Sequence, residues 1–139
     1  MIYVIAQFSL LVVLAWPIAN LHFSLFGAFF ILLGAVIAFL AIFSNQPGNF
    51  NVRPIPKKEG ELITTGIYQY VRHPMYTSLF SGGLGVVLCQ FIWWKLVAWV
   101  LLIIALFLKS QFEERALLLH YPGYYKYKQT NHAFIPYIW

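Results

Sequence analysis

Charged residues are scarce in this chain. Only 9% of its 139 residues are Asp, Glu, Lys or Arg, whereas a soluble domain carries about 25%. Hydrophobic residues make up 61% of the sequence, and the mean hydropathy is +0.74. Nine basic and four acidic residues cannot cover a soluble monomer, and the same composition excludes disorder. A single cysteine, Cys89, excludes a disulfide scaffold. The composition therefore predicts a small integral membrane protein with one domain, residues 1–139.

The charge-free segments predict where the chain crosses the membrane. Residues 1–52, 73–94 and 96–108 contain no Asp, Glu, Lys or Arg. We interpret these three segments as four membrane-spanning helices, two of them within residues 1–52, because helices with few charges suit a hydrocarbon core about 30 Å thick. The predicted spans are about 2–18, 23–43, 74–91 and 93–108, and Pro17 should end or kink the first. The predicted fold is all-α, with two helical hairpins, a polar loop between them and a polar C-terminal segment.

The distribution of Lys and Arg predicts the orientation of these spans. Loop 45–73 holds four of the nine basic residues and the segment after residue 108 holds four more, which leaves only Lys95 elsewhere. By the positive-inside rule, the loop, the C-terminal segment and both termini are expected on the cytoplasmic side. The net charge of +5 would then face anionic membrane lipids. We expect no nucleic-acid partner, because the basic residues flank spans and form no separate domain.

One polar cluster lies at the start of the predicted third span, where the sequence reads YVRHPMY. Pro74 suits the first turn of a helix, where its missing N–H leaves no bond unmade, and this places His73 at the N-cap. The free backbone N–H groups there, together with Arg72, can hold an anion. The same residues are also typical of an interfacial anchor, in which Arg and aromatic side chains face the headgroups.

A second polar cluster, KSQFEER, follows the fourth span at residues 109–115. We expect the fourth helix to continue past the membrane surface until Pro122-Gly123 ends it. Glu113 and Glu114 point about 100° apart on a helix, so at most one of them is expected to face a site. A solvated helix face with ordinary ion pairs would have the same composition.

The segment Gly66–Tyr76, GIYQYVRHPMY, resembles the G-x-Y-x-x-x-R-H-P-x-Y signature of the isoprenylcysteine carboxyl methyltransferase and phospholipid methyltransferase superfamily. The later E-E-x-x-L, aromatic-x-G, Y-x-x-Y and proline-containing motifs of that superfamily are matched between Glu113 and Pro136. The resemblance covers about residues 60–136. It implies an integral membrane enzyme that uses S-adenosylmethionine, with a cofactor pocket formed on the cytoplasmic side by the loop and the C-terminal segment.

The resemblance also implies site residues. The cofactor-binding candidates are Glu61, Leu62, Ile63, Tyr68, His73, Pro74, Met75, Tyr76 and Glu114, with Glu113 as the alternative to Glu114. The catalytic candidates are Arg72, His73 and Tyr76, and no metal ligand is among them. A carboxylate such as Glu114 can accept hydrogen bonds from the cofactor's ammonium group, and Arg72 can balance its carboxylate. Tyr68 and Tyr76 can offer ring faces to the sulfonium.

The expected methyl acceptor is amphiphilic and lipid-like, either the carboxylate of an isoprenylcysteine-like compound or a phospholipid amine. A carboxylate needs no general base, whereas an amine must first lose a proton, for which only His73, His120 and His132 are obvious candidates. Ser110 stands where some superfamily members carry an arginine near the acceptor, which argues against a prenylcysteine carboxylate.

Two other function classes are open from the sequence. One is an NADPH-dependent lipid or sterol reductase of related architecture, which would need a larger phosphate-binding surface. The other is a non-enzymatic small membrane protein or exporter. A proton-coupled exporter generally needs a titratable group inside the membrane, and the predicted spans contain no Asp, Glu or His.

Overall fold

The computed structural model describes residues 1–16, 22, 24–45 and 60–136. The described residues form five α-helices and no β-strand, so the predicted all-α class is confirmed. The helices are α1 (Ile2–Ala15), α2 (Leu25–Ser44), α3 (Pro74–Cys89), α4 (Trp93–His120) and α5 (Tyr124–Thr130), and a short 3₁₀ helix, Gly66–Gln69, precedes α3. The predicted span ends at residues 17, 18 and 23, and the loop residues Arg53, Lys57 and Lys58, lie outside the described residues.

Proline accounts for three of the helix boundaries. α1 ends at Ala15 rather than at residue 18, because Trp16 precedes a proline and adopts an extended conformation (φ −116°, ψ 142°). α3 begins at Pro74 with His73 as its N-cap, as predicted. α4 continues to His120, two residues before Pro122, so the expected extension beyond residue 108 is also present.

Two helices, α2 and α4, are long and apolar enough to cross a membrane. α2 exposes large apolar side chains along its length, including Leu25, Phe26, Phe29, Phe39 and Phe43, and a surface of this kind suits lipid. α1 and α3 are apolar but have only 14 and 16 residues, which corresponds to about 21 and 24 Å of helix against a core of about 30 Å. That all four helices span the membrane therefore stays a prediction.

The closest packing occurs between helices from different predicted hairpins. α2 packs mainly against α3, and α1 packs mainly against α4. Glycines bring α2 and α3 together, because a Cβ on Gly27 would lie 3.0 Å from the Gly85 carbonyl oxygen, and one on Gly34 would lie 2.7 Å from the Ser78 carbonyl oxygen. The two hairpins thus describe the order of the chain but not its packing partners.

α4 connects to the other helices through side-chain hydrogen bonds. Lys109 Nζ donates to Gln7 Oε1 of α1 at 2.9 Å, and Trp99 Nε1 donates to the Phe80 carbonyl of α3 at 2.9 Å. The buried core beside these bonds includes Leu14, Tyr76, Leu102, Leu106 and Phe134. This packing holds the end of α4 beside the start of α3, where the two polar motifs lie.

Gly85→Ala is expected to lower the free energy of unfolding by about 1–3 kcal/mol, because the added methyl group overpacks the α2–α3 contact. A Cβ at Gly85 would lie 2.6 Å from the Gly27 carbonyl oxygen and 2.7 Å from the Ile31 amide nitrogen. Gly82→Ala on the same helix is the matched control, since its Cβ has no neighbour within 4 Å in the described part of the chain. Thermal unfolding in detergent measures both variants, and equal melting temperatures would contradict this account of the packing.

Candidate functional site

Four segments meet at one end of the helices: the start of α3, the last turns of α4, α5, and residues 131–134. Pro74 begins α3, and Arg72 and His73 therefore lie just before the first turn of the helix. Glu113 and Glu114 approach them from α4. The structure therefore brings together the R-H-P and E-E motifs, although 41 residues separate His73 from Glu114.

Glu114 is the centre of this ionic cluster. Its Oε1 accepts a hydrogen bond from Arg72 Nε at 2.8 Å and lies 3.1 Å from His73 Nε2. Its Oε2 lies 2.7 Å from Lys128 Nζ, on α5. Glu114 is only 2% exposed, and a buried charge of this kind needs charged partners. The protein's own cations thus already surround this carboxylate.

Glu113 reaches the same cluster from its other side. Its Oε2 accepts a hydrogen bond from the Tyr76 hydroxyl at 2.6 Å and lies 3.8 Å from His73 Nδ1. The expectation that at most one of the two glutamates faces the site is therefore wrong. The His73 ring lies between them and presents Nε2 to Glu114 and Nδ1 to Glu113, which bridges their angular separation on the helix.

Arg72 holds the C-terminal segment against α3. Its Nη1 donates to the Lys128 carbonyl at 3.1 Å and also to the Asn131 carbonyl. Its backbone N–H donates to the His132 carbonyl at 2.8 Å, and the next backbone N–H, of His73, donates to the Ala133 carbonyl at 3.0 Å. Arg72, whose guanidinium is expected to balance a cofactor carboxylate, therefore also holds the C-terminal segment against α3.

Aromatic rings close the apolar side of the cluster. The His73 and Tyr76 rings are stacked, 5.3 Å apart and 2° from parallel. Phe134, from the C-terminal segment, lies 5.6 Å from the His73 ring and is almost fully buried. Lys109 Nζ lies 5.1 Å from the Tyr76 ring centroid, in cation–π range. The Tyr76 ring predicted to face a sulfonium thus already contacts protein groups.

Tyr68 connects the segment before α3 to α5. Its carbonyl accepts hydrogen bonds from the Tyr127 hydroxyl at 2.6 Å and from Asn131 Nδ2 at 3.0 Å. Burial, and then the charge of Glu113, raise the pKa of the Tyr68 phenol. The Tyr68 ring is therefore close enough to the cluster for the charge of Glu113 to affect it, and its predicted contact with a cofactor stays a prediction.

The other predicted site residues lie around this cluster. Pro74 is buried in the first turn of α3, and Met75 packs against the core. Leu62 and Ile63 are half-buried, and Glu61 is exposed but close enough to Tyr121 to contribute, after burial, to a raised pKa of that phenol. The predicted roles of these residues toward a cofactor stay predictions.

Sequence reasoning missed three residues of the site: Lys128, Tyr124 and Phe134. Lys128 enters the sequence analysis only as one of the basic charges that set the orientation, and Tyr124 and Phe134 lie within the matched motifs without an assigned role. One signal was present in the sequence, because Tyr124 and Lys128 are four residues apart and therefore share a helix face.

Tyr124 is the unusual member of the site. The residue is 1% exposed, and its hydroxyl is the one buried side-chain polar atom without a hydrogen-bond partner in the described part of the chain. Burial, followed by the charge of Glu114, raises the pKa of this phenol. A buried hydroxyl without a partner is unfavourable by about 1–3 kcal/mol, so it indicates a place for a polar ligand atom or a water.

The family model for phospholipid methyltransferases matches residues 22–123, well over half of the chain. No curated protein and no solved structure significantly matches this chain. The matched range contains the R-H-P and E-E motifs that the fold brings together, and it ends just before α5. The chain therefore belongs to the phospholipid methyltransferase family, within the superfamily of membrane methyltransferases that also contains the isoprenylcysteine carboxyl methyltransferases.

Proposed function

We propose that this protein transfers a methyl group from S-adenosylmethionine to an amphiphilic, lipid-like acceptor at the cytoplasmic surface of a membrane. The observation that carries the proposal is the cluster of Arg72, His73, Glu113, Glu114 and Lys128 at the end of apolar helices, with His73 and Glu114 buried at its centre. A charged cluster beside lipid-facing helices suits an acceptor with a polar head and an apolar tail. Family membership supports methyl transfer as the reaction class.

The residues of the cluster fit such a cofactor. Its amino-acid end carries one positive and one negative group, and the cluster offers both carboxylates and cations. We assign the ammonium group to Glu113, whose Oε1 has no hydrogen bond among the described residues, rather than to the enclosed Glu114. Tyr68, Met75 and the segment of residues 61–63 would border the rest of the cofactor. When bound, the cofactor supplies an electrophilic methyl group on a sulfonium.

The protein's own groups would position the reactants and exclude water. Methyl transfer is an in-line displacement, so alignment and a dry site provide much of the rate enhancement. Phe134 and the C-terminal segment, to which Arg72 donates hydrogen bonds, cover the apolar side of the cluster. His73, which lies between two carboxylates, is the candidate to accept a proton from an amine acceptor, whereas a carboxylate acceptor needs no base.

The proposal is tested with protein purified in detergent and S-adenosylmethionine labelled in its methyl group. Calorimetry should detect binding of the cofactor to the wild-type protein. Label should then transfer to a long-chain phosphatidylethanolamine or to a farnesylcysteine analogue, and the better acceptor decides between amine and carboxylate. Absence of cofactor binding would refute the reaction, and efficient methylation of a purely hydrophilic acceptor would refute the lipid acceptor.

Gly82→Leu is expected to raise the KM for a long-chain acceptor about tenfold and to leave the KM for a truncated acceptor unchanged, because remote contacts with the apolar chain supply binding energy. A Cβ at Gly82 points into open space on α3, where we place the acceptor's chain. Gly123→Leu is the matched control, since a Cβ there also meets no described atom within 4 Å but lies outside the apolar helices. Equal effects on both acceptors would contradict this path.

A further inference from the structure

The Tyr124 hydroxyl has a position that the fold alone does not explain. Phenols that are almost fully buried usually find a hydrogen-bond partner. Tyr127, on the same short helix, follows this rule, because its hydroxyl donates to the Tyr68 carbonyl at 2.6 Å. The two rings are 5.8 Å apart, so both phenols belong to the same wall of the site. Tyr124 alone of this pair is left with an unused polar atom.

The charges around Tyr124 indicate which kind of ligand atom fits. Tyr124 shares a face of α5 with Lys128, whose Nζ lies 2.7 Å from Glu114. Glu114, Arg72 and Glu113 are all close enough for their charges to affect the phenol. The surroundings of the hydroxyl therefore combine one cation, Arg72, with the two carboxylates of Glu113 and Glu114, which is a mixed environment suited to a zwitterion.

We propose that the Tyr124 hydroxyl binds the amino-acid end of the methyl-donor cofactor by donating a hydrogen bond to its carboxylate. This inference rests on the proposed function, and it adds a residue that lies outside the range matched by the family model. The amino-acid end is the zwitterionic part of the cofactor, whereas the adenosine part is uncharged. Because burial raises the pKa of the Tyr124 phenol, its proton stays available for donation.

The test compares two ligands and two variants. S-adenosylhomocysteine carries the amino-acid end, and 5′-methylthioadenosine lacks it. Tyr124→Phe should weaken binding of S-adenosylhomocysteine about tenfold, in keeping with the loss of one hydrogen bond to a charged group, and should leave binding of 5′-methylthioadenosine unchanged. The ligand-free variant should melt in detergent at the same or a higher temperature than the wild type, because an unpartnered polar atom has been removed.

Tyr127→Phe is the matched control on the same helix. It removes a hydroxyl that has a partner, so the ligand-free protein should melt at a lower temperature, and any loss of affinity should affect both ligands alike. Calorimetric titration gives the affinities, and thermal unfolding gives a readout that does not depend on activity.

The possible outcomes separate this inference from the proposed function. If the wild type binds neither ligand, the proposed function fails and the inference fails with it. If the wild type binds both and Tyr124→Phe binds S-adenosylhomocysteine equally well, only the inference is overturned, and the hydroxyl is satisfied by water. Equal weakening of both ligands would overturn the assignment to the amino-acid end. Failure of the ligand-free variant to fold would show that the hydroxyl has a structural partner, which also overturns the inference.

Discussion

Replacing Glu114 by Gln should lower the free energy of unfolding by about 3–5 kcal/mol, because its removal leaves the largely buried guanidinium of Arg72 without a countercharge. Arg72 Nε at 2.8 Å and Lys128 Nζ at 2.7 Å both depend on this carboxylate. Arg72 also holds the C-terminal segment, so we expect that segment to separate from α3 and cofactor binding to be lost. Thermal unfolding in detergent and calorimetric titration with S-adenosylmethionine measure the two effects.

Glu113→Gln is the matched control on the adjacent residue. Its carboxylate accepts one hydrogen bond, from the Tyr76 hydroxyl, and a Gln amide oxygen can still accept it. The free energy of unfolding should therefore change by less than about 1 kcal/mol, while cofactor affinity falls because a charge facing the ammonium group is lost. Equal losses of stability in both variants would contradict the distinction between a structural glutamate and a ligand-binding glutamate.

Local chemistry made the start of α3 and the end of α4 predictable from the sequence. Proline has no N–H and a fixed φ, so Pro74 could begin a helix and Pro122 could only follow one. That R-H-P and E-E belong to one site was implied by the resemblance to the superfamily and not by local chemistry. Rules that act over a few residues therefore accounted for the two helix ends but not for their meeting.

The contacts of the C-terminal segment could not be predicted in the same way. α5 has only seven residues, too few to show a helical period, and the segment after it binds mainly through its backbone. Backbone carbonyls such as those of Asn131 and His132 are present in every sequence, so their pairing with Arg72 leaves no compositional signal. Lys128 and Tyr124 acquire their roles only when this segment is docked.

Which helices pack against each other could not be predicted from the sequence either, for a different reason. Charge counting places helices relative to a membrane but does not say which helices touch. The contact between α2 and α3 depends on Gly27, Gly34 and Gly85, whose spacing allows close approach but names no partner. The predicted hairpins consequently do not say which helices pack together, and the main contacts are between α2 and α3 and between α1 and α4.

His73→Ala is expected to lower the rate of methyl transfer to an amine acceptor about 100-fold or more and to leave the protein folded. Histidine is the residue type that accepts and releases protons near neutral pH, and this ring lies between the two glutamates. The fold should survive because Glu114 keeps Arg72 and Lys128 as partners. Initial rates with labelled S-adenosylmethionine, together with thermal unfolding in detergent, measure both expectations.

His73→Gln distinguishes proton transfer from positioning. A Gln amide can donate a hydrogen bond to Glu114, as His73 Nε2 can at 3.1 Å, but it cannot accept the proton of an amine. We therefore expect His73→Gln to stay as inactive as His73→Ala while it binds the cofactor with the wild-type affinity. Restored methyl transfer would instead assign His73 to orienting Glu114. If neither variant changes the rate of methyl transfer, His73 is excluded from the reaction, and an acceptor that needs no base is favoured.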